Sequence, residues 1–276
     1  MTPPSSADAR IRRFHELHQS GCFVIPNPFD VGSARLLVQL GFQALATTSS
    51  GFAWTLGRCD TKATVDEVIA HARALVESVP VPVSVDFEGG YAVQPDGVGR
   101  NVSAAVKTGI AGLSIEDSTG DESKPLYEFD LAVERVRSAR QAIDRSGTGV
   151  LLTARSEGYL VARPDLTETL RRLQAYAQAG ADCLYAPGLR SSSDISVVVQ
   201  GVAPKPVNVL VGSDFTTVAS LAALGVRRIS VGGALARAAW TGFLAAAEEI
   251  SQRGTFTQVS AAIPFATIDG MFAAKS

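Results

Sequence analysis

Asp165-Leu166-Thr167-Glu168-Thr169-Leu170-Arg171-Arg172-Leu173-Gln174-Ala175-Tyr176-Ala177-Gln178-Ala179-Gly180-Ala181-Asp182-Cys183-Leu184-Tyr185-Ala186 reads as one complete helix-to-strand unit. Asp165 and Glu168 have capping-box spacing, and Leu166, Leu170 and Leu173 recur on one helical face. Ala179-Gly180-Ala181 places glycine where a helix ends in left-handed backbone, and Asp182 to Ala186 follows as a short strand. The same joint recurs at Leu40-Gly41-Phe42, Thr108-Gly109-Ile110 and Leu224-Gly225-Val226, and Thr64 with Glu67 repeats the capping spacing. A chain punctuated in this way alternates helices with strands.

Eight runs qualify as strands: Cys22 to Pro26, Ala44 to Thr48, Val83 to Asp86, Gly112 to Glu116, Val150 to Ala154, Asp182 to Ala186, Val207 to Val211 and Arg228 to Val231. Most are apolar throughout, as parallel strands covered on both sides are, and each is followed by a helix-like segment. Eight such units fit an α/β TIM (β/α)8 barrel better than an open doubly wound sheet. Gly97-Val98-Gly99-Arg100 lacks the third glycine of a dinucleotide fingerprint and does not follow a strand directly. No linker divides the 276 residues, so 1–276 is expected to be a single barrel domain with a short N-terminal extension and a C-terminal helical segment.

Composition narrows the function classes. A formal net charge of -2 gives no broad attraction to nucleic acid or anionic membrane. No window has the length of a membrane span, and Met1 to Arg13 has no apolar run of the signal-peptide kind, so a cytoplasmic protein is expected. Cys22, Cys59 and Cys183 are odd in number and widely spaced, which argues against a disulfide framework and a zinc site. His15, His18 and His71 lie in helical stretches away from every strand end, which disfavours a Ser-His-Asp triad.

In such a barrel the chemistry stands at the carboxyl ends of the strands. Strand alternation puts Asp86 and Glu88 of Val83-Ser84-Val85-Asp86-Phe87-Glu88-Gly89-Gly90-Tyr91 on one face, where their repulsion calls for a cation or a proton. Other strand ends supply Thr47 to Phe52, Glu116-Asp117, Arg155-Ser156-Glu157 and Asn208, and the loop after the second strand carries Asp60. This rim suits Mg²⁺, with Mn²⁺ as the alternative ion, taking Asp86 as direct ligand and Glu88 and Glu116 through water. Arg155 could clamp a substrate carboxylate, or serve as a structural partner of Glu157. Main-chain N–H groups around Ser50 and Gly51 could face an oxyanion. Asp117 alternates away from Glu116 and reads as a solvated or capping acid.

At these residues the chain resembles the isocitrate lyase and phosphoenolpyruvate mutase superfamily. The match rests on Ser50-Gly51, on Asp86-Phe87-Glu88-Gly89-Gly90-Tyr91 in place of Asp-x-Asp-Thr-Gly-Tyr, on Ile115-Glu116-Asp117 and on Ala154-Arg155-Ser156-Glu157, and it runs from about Phe14 to Glu249. The resemblance implies an α/β barrel that binds Mg²⁺ and a 2-oxo acid and works through an enolate-like intermediate. It implies Asp86, Glu88 and Glu116 on the metal side, Arg155 as the carboxylate clamp, and Ser50, Gly51, Phe52, Asp60 and Asn208 as substrate contacts. It further implies a homodimer or homotetramer that exchanges the last barrel helix, here within Ala234 to Ile250 and the segment after it.

The loop after the fourth strand departs from the family. Lyases of the superfamily carry Lys-Lys/Arg-Cys-Gly-His there and mutases a Lys-x-Phe-Pro-Lys-x-Asn-like segment, whereas this chain has Ser118-Thr119-Gly120-Asp121-Glu122-Ser123-Lys124-Pro125-Leu126-Tyr127. Lys124 or Tyr127 could act as the acid if the loop closes, with Cys59 a remoter candidate and a surface role the alternative for each. These features leave three functions open. The first is a Mg²⁺-dependent lyase that cleaves a carbon-carbon bond of a small 2-oxo or 2-hydroxy polycarboxylate of isocitrate, methylisocitrate or oxaloacetate type. The second is a phosphonate- or phosphate-handling enzyme, suggested by Gly212-Ser213 and Gly232-Gly233 after the last strands. The third is a catalytically silent 2-oxo acid binding protein.

Overall fold

A computed structural model describes residues 6–273; the beginning of the Met1 to Arg13 stretch and the last three residues lie outside them. The strands are β1 (Phe23–Ile25), β2 (Leu45–Ala46), β3 (Val83–Asp86), β4 (Gly112–Glu116), β5 (Leu151–Arg155), β6 (Cys183–Tyr185), β7 (Val207–Leu210) and β8 (Arg228–Ser230). The helices are α1 (Ser6–Gln19), α2 (Val31–Gln39), α3 (Ser49–Thr55), α4 (Val65–Ser78), α5 (Pro95–Val106), α6 (Phe129–Ser146), α7 (Leu166–Gln178), α8 (Ser192–Gly201), α9 (Val218–Ala223), α10 (Ala234–Arg253), α11 (Thr257–Ser260) and α12 (Phe265–Phe272).

All strand pairs are parallel, in the order β1-β8-β7-β6-β5-β4-β3-β2, as the alternation of units requires. The seam between β1 and β2 is closed by the Ala46 N–H donating to Pro26 O at 3.1 Å. Buried Asn27 reinforces it, donating to Thr47 O and accepting from the N–H groups of Val231 and Gly232, each at 2.9 Å. One asparagine thus ties together the ends of β8, β1 and β2. The result is the expected TIM barrel.

The joints behave as the sequence predicts. Gly41, Gly109, Gly180 and Gly225 all have positive φ, between 83° and 104°, a conformation that penalises any residue with a Cβ. Thr64 and Glu67 make a reciprocal capping box at α4, whereas Glu168 turns from Asp165 to pair with Arg171 and Arg172. Each strand then splits its residues by parity. Leu113, Ile115, Leu152, Ala154, Leu184, Val207, Val209 and Ile229 pack into the apolar layer beneath the helices. Their alternate neighbours, including Ser84, Ser114 and Ser230, line a cavity inside the barrel. Small hydroxyl side chains stand where bulky branched residues usually fill such an interior, and that leaves room for a ligand.

The C-terminal arm is different. Helix α10 buries only Ala236 and Glu249. Phe243, Phe256 and Phe265 are 60%, 61% and 81% exposed, although α12 touches α2. Among the described residues, no helix is long and apolar enough to cross a membrane, and the three cysteines are free thiols.

Candidate active site

Four carboxylates from the ends of β3, β4 and β5 gather around one guanidinium. Arg155, the last residue of β5, donates from Nη1 to Asp86 at 2.7 Å and from Nε to Glu157 at 2.8 Å, and its Nη2 lies 3.2 Å from Glu116. All three acid side chains are at most 17% exposed. Glu88 completes the set, and its own carboxylate accepts from the Tyr91 hydroxyl at 2.8 Å. Asp86 and Glu88 do not share a face by strand alternation, because β3 ends at Asp86 and Glu88 has φ +44°, in a left-handed turn. Glu88 reaches the cluster through that turn, which the following glycines allow and which the Glu88 carbonyl fixes by accepting from the Glu116 N–H at 3.0 Å.

One guanidinium is too little positive charge for so many acids. Burial, with Glu157, Asp86 and Glu88 as further causes, holds the Glu116 carboxyl well above the usual range despite Arg155. Burial likewise raises Glu157 and pushes Glu88 up to about 7. Burial and mutual repulsion thus favour the protonated form of these acids, a further cation would relieve the same repulsion, and the donors are all oxygens, which suits a hard divalent ion. Among the described residues no group of three or more His, Cys, Asp or Glu side chains forms a ready-made metal cage. Mg²⁺ does not require one, since it is commonly held by one or two carboxylates and keeps several waters. The residues present fit such an ion.

The cavity beside the cluster has a volume of about 180 Å³ and is reached by Asp86, Arg155, Ser50, Asp60 and Asn208. Asp86 is held from both sides, its Oδ2 accepting from the Ser49 N–H at 3.1 Å and its own N–H donating to Thr47 Oγ1 at 2.8 Å. Thr48 caps α3 by accepting from the Gly51 N–H at 3.3 Å and lies 3.1 Å from the Ser50 hydroxyl. The N–H groups expected to face a ligand are thus partly committed within the chain. Gly51 matters by its size, since a Cβ there would sit 2.5 Å from Thr48 Cγ2. Asp60 stands at the rim, raised by desolvation and then by Asp86. Phe52 is placed elsewhere, its ring stacked on His71 at 4.0 Å.

The loop after β4 is a short hairpin, bridged antiparallel between Ser118 and Leu126. With the Glu88 turn it encloses a second cavity of about 380 Å³, lined by Glu88, Glu116, Lys62, Thr119 and Tyr127. Tyr127 is anchored from three sides: Arg135 lies 3.8 Å over its ring, Arg172 donates to its carbonyl at 3.0 Å, and its N–H donates to Asp117 O at 2.9 Å. Lys124 is exposed on the hairpin and lines neither cavity.

Asp117 is the largest departure from the sequence reading. It is 2% exposed and accepts from the Glu157 N–H at 2.8 Å, the Tyr176 hydroxyl at 2.6 Å and Arg172 at 3.1 Å. A residue read as solvated is instead the buried tie between the ends of β4 and β5 and helix α7. Its partners Arg172 and Tyr176, one turn apart on α7, lie 55 and 59 residues along the chain, so no local pattern signalled them.

The model of the phosphoenolpyruvate phosphomutase family matches residues 14–251. The chain belongs to that family. A Burkholderia cenocepacia J2315 structure described as a candidate lyase or mutase is 44% identical, with 99% of each chain covered and a TM-score of 0.95. An uncharacterized Mycobacterium tuberculosis protein is 34% identical over 92% of this chain and 94% of its own length. The structure of 2,3-dimethylmalate lyase, a member of the phosphoenolpyruvate mutase and isocitrate lyase superfamily, is 25% identical, covers 98% of this chain and 95% of its own, and has a TM-score of 0.85. The superfamily suggested by the sequence motifs is therefore the right one.

Proposed function

We propose that this chain is a Mg²⁺-dependent lyase that cleaves a carbon-carbon bond of a small 2-oxo or 2-hydroxy polycarboxylate through an enolate. The observation that carries the reading is the excess of carboxylates, buried Glu157 with half-buried Asp86, Glu88 and Glu116, around the single guanidinium of Arg155. Asp86 would hold Mg²⁺ directly, with Glu88 and Glu116 acting through water. When bound, the ion supplies positive charge against a developing enolate oxygen. Arg155 binds and orients a substrate carboxylate, which competes with the chain's own acids for its donors. Ser50 and Asp60 border the same space, and Asn208 lines its wall.

Proton movement falls to groups that line the second cavity. In the 2-hydroxy case a carboxylate takes the hydroxyl proton, the adjacent carbon-carbon bond breaks to an oxo acid and an enolate, and a protonated acid returns a proton to the enolate carbon. Glu116 would make one of these transfers and Tyr127 the other, both bordering the second cavity. The likeness to 2,3-dimethylmalate lyase supports this chemistry. A phosphonate-handling reading draws on the family's phosphomutase description. Its glycine cradle is weakened because Asn27 already takes the N–H groups of Val231 and Gly232.

The exposed apolar arm supports a homodimer or homotetramer in which α10 to α12 pack on a partner copy, because a lone chain rarely leaves so much large apolar surface uncovered. Free thiols suit a cytoplasmic setting. The test of function is a screen of 2-oxo and 2-hydroxy polycarboxylates for oxo-acid release. Metal-dependent multiple turnovers, lost in Asp86→Ala, support the lyase; binding of 2-oxo acids without product throughout the screen identifies a silent binding protein instead.

A further inference from the structure

The cavity contains a second arginine that the proposed chemistry does not use. Arg228, the first residue of β8, shares the inward face with Ser230, is 5% exposed and lines the same cavity as Asp86 and Arg155. Its Nε donates to Asn208 Oδ1 at 2.9 Å and its Nη1 lies 3.4 Å from His18 Nε2. Both partners are neutral: one is an amide, and burial followed by Arg228 itself lowers His18 to about 3. Among the described residues, no carboxylate lies within ion-pair distance of Arg228. A buried guanidinium without a counter-charge is costly, and the cost is relieved when an anion arrives.

The two arginines divide the cavity. Arg155 has its donors on three acids of the chain, whereas Arg228 faces only neutral groups. A continuous polar wall connects them: the Arg155 guanidinium lies 5.2 Å from the Tyr185 ring, the Tyr185 hydroxyl is 3.5 Å from Ser230 Oγ, and Ser230 accepts from Asn208 Nδ2 at 2.9 Å. The Arg228 bond also fixes the orientation of the Asn208 amide, with oxygen toward Arg228 and nitrogen toward Ser230. Asn208 is therefore part of the receptor for Arg228 before it is a contact for any ligand.

We infer that Arg228 makes the floor of the cavity an anion subsite for the second carboxylate of a dicarboxylate ligand whose oxo-acid end faces Asp86 and Arg155. The inference rests on the proposed reading of that end, but its floor half is testable without metal or turnover. Serine and alanine along the interior leave a shaft in which a carboxylate can reach a guanidinium with little water in between, the setting in which charge-assisted hydrogen bonds are strongest.

The experiment is calorimetric titration with malonate in chelator, on the full-length protein. The wild type binds malonate, and Arg228→Gln weakens binding about tenfold or more, while Arg228→Lys restores part of it. Asn208→Asp keeps the arginine and places a carboxylate against it, so malonate binding falls and the melting temperature rises; this variant also serves if Arg228→Gln does not fold. Asp86→Ala removes metal-dependent turnover but leaves chelated malonate binding in place, which separates the floor from the mouth. Equal malonate affinity in Arg228→Gln and wild type overturns the inference. So does Asn208→Asp with unchanged affinity, and so does chloride binding as tightly as malonate, which would mark an inorganic anion site.

Discussion

Replacing Asp117 by alanine removes the acceptor for three donors at once. The Glu157 N–H and the Tyr176 hydroxyl are left in a buried setting, and each orphaned group costs about 1–3 kcal/mol. Arg172 is better protected, because it keeps Glu168 at 2.8 Å and the Tyr127 carbonyl at 3.0 Å. Breaking a buried ion pair by truncating one partner costs about 3–5 kcal/mol, and the remaining Arg172 contacts place the total toward the lower half of that range. At about 2–4 °C per kcal/mol for a domain of this size class, the melting temperature should fall by about 10 °C. Asp117→Asn keeps one acceptor oxygen and should lose about half as much. Thermal unfolding followed by circular dichroism reads both changes. A fall of less than about 2 °C in Asp117→Ala would mean that the side chain is solvated and that the buried tie between β4, β5 and α7 does not exist.

Gly51→Ala should lower stability by about 1–3 kcal/mol in denaturant titrations and weaken ligand binding, because its Cβ would meet Thr48 Cγ2 at 2.5 Å and Phe29 Cβ at 3.1 Å. In chelator, stability should fall as pH rises from about 4.5 to about 7. Glu88 is held at about 7 in the fold against an ordinary value of 4.5, so across that window the folded state keeps a proton that the unfolded chain has released. Urea midpoints at several pH values should show this slope, and Glu88→Gln should reduce it, leaving the part due to Glu116 and Glu157, which are raised in the same direction. Lys124→Ala should leave turnover unchanged and stability within about 0.5 kcal/mol, since the side chain is exposed and outside both cavities; a hundredfold loss of kcat would return Lys124 to the chemistry.

The barrel was legible because its punctuation is local. Glycine at 41, 109, 180 and 225 marks backbone that only a few residues tolerate, and strands such as Val83–Asp86 and Gly112–Glu116 have the bounds that their apolar runs suggest. The cluster was legible in membership but not in geometry. Asp86, Glu116 and Arg155 end adjacent strands and meet as barrel topology dictates, while Glu88 arrives through a left-handed turn that strand alternation cannot describe. Asp117 and Arg228 were illegible for a different reason. Their partners lie 55 and 59 residues away for Asp117, and 20 and 210 residues away for Arg228, so their burial is a property of the closed barrel rather than of any local pattern. The same holds for Phe52, whose neighbour His71 belongs to the next helix.

We propose the acid cluster around Asp86 as a divalent-cation platform for an oxo acid. Titration of the protein with Mn²⁺, followed by electron paramagnetic resonance of the free ion, measures that binding. Wild-type protein should bind one Mn²⁺ per chain, more tightly when oxalate is present, and Asp86→Asn should lose that binding while remaining folded. Equal Mn²⁺ binding by wild type and Asp86→Asn, or no binding with or without oxalate, would contradict the account.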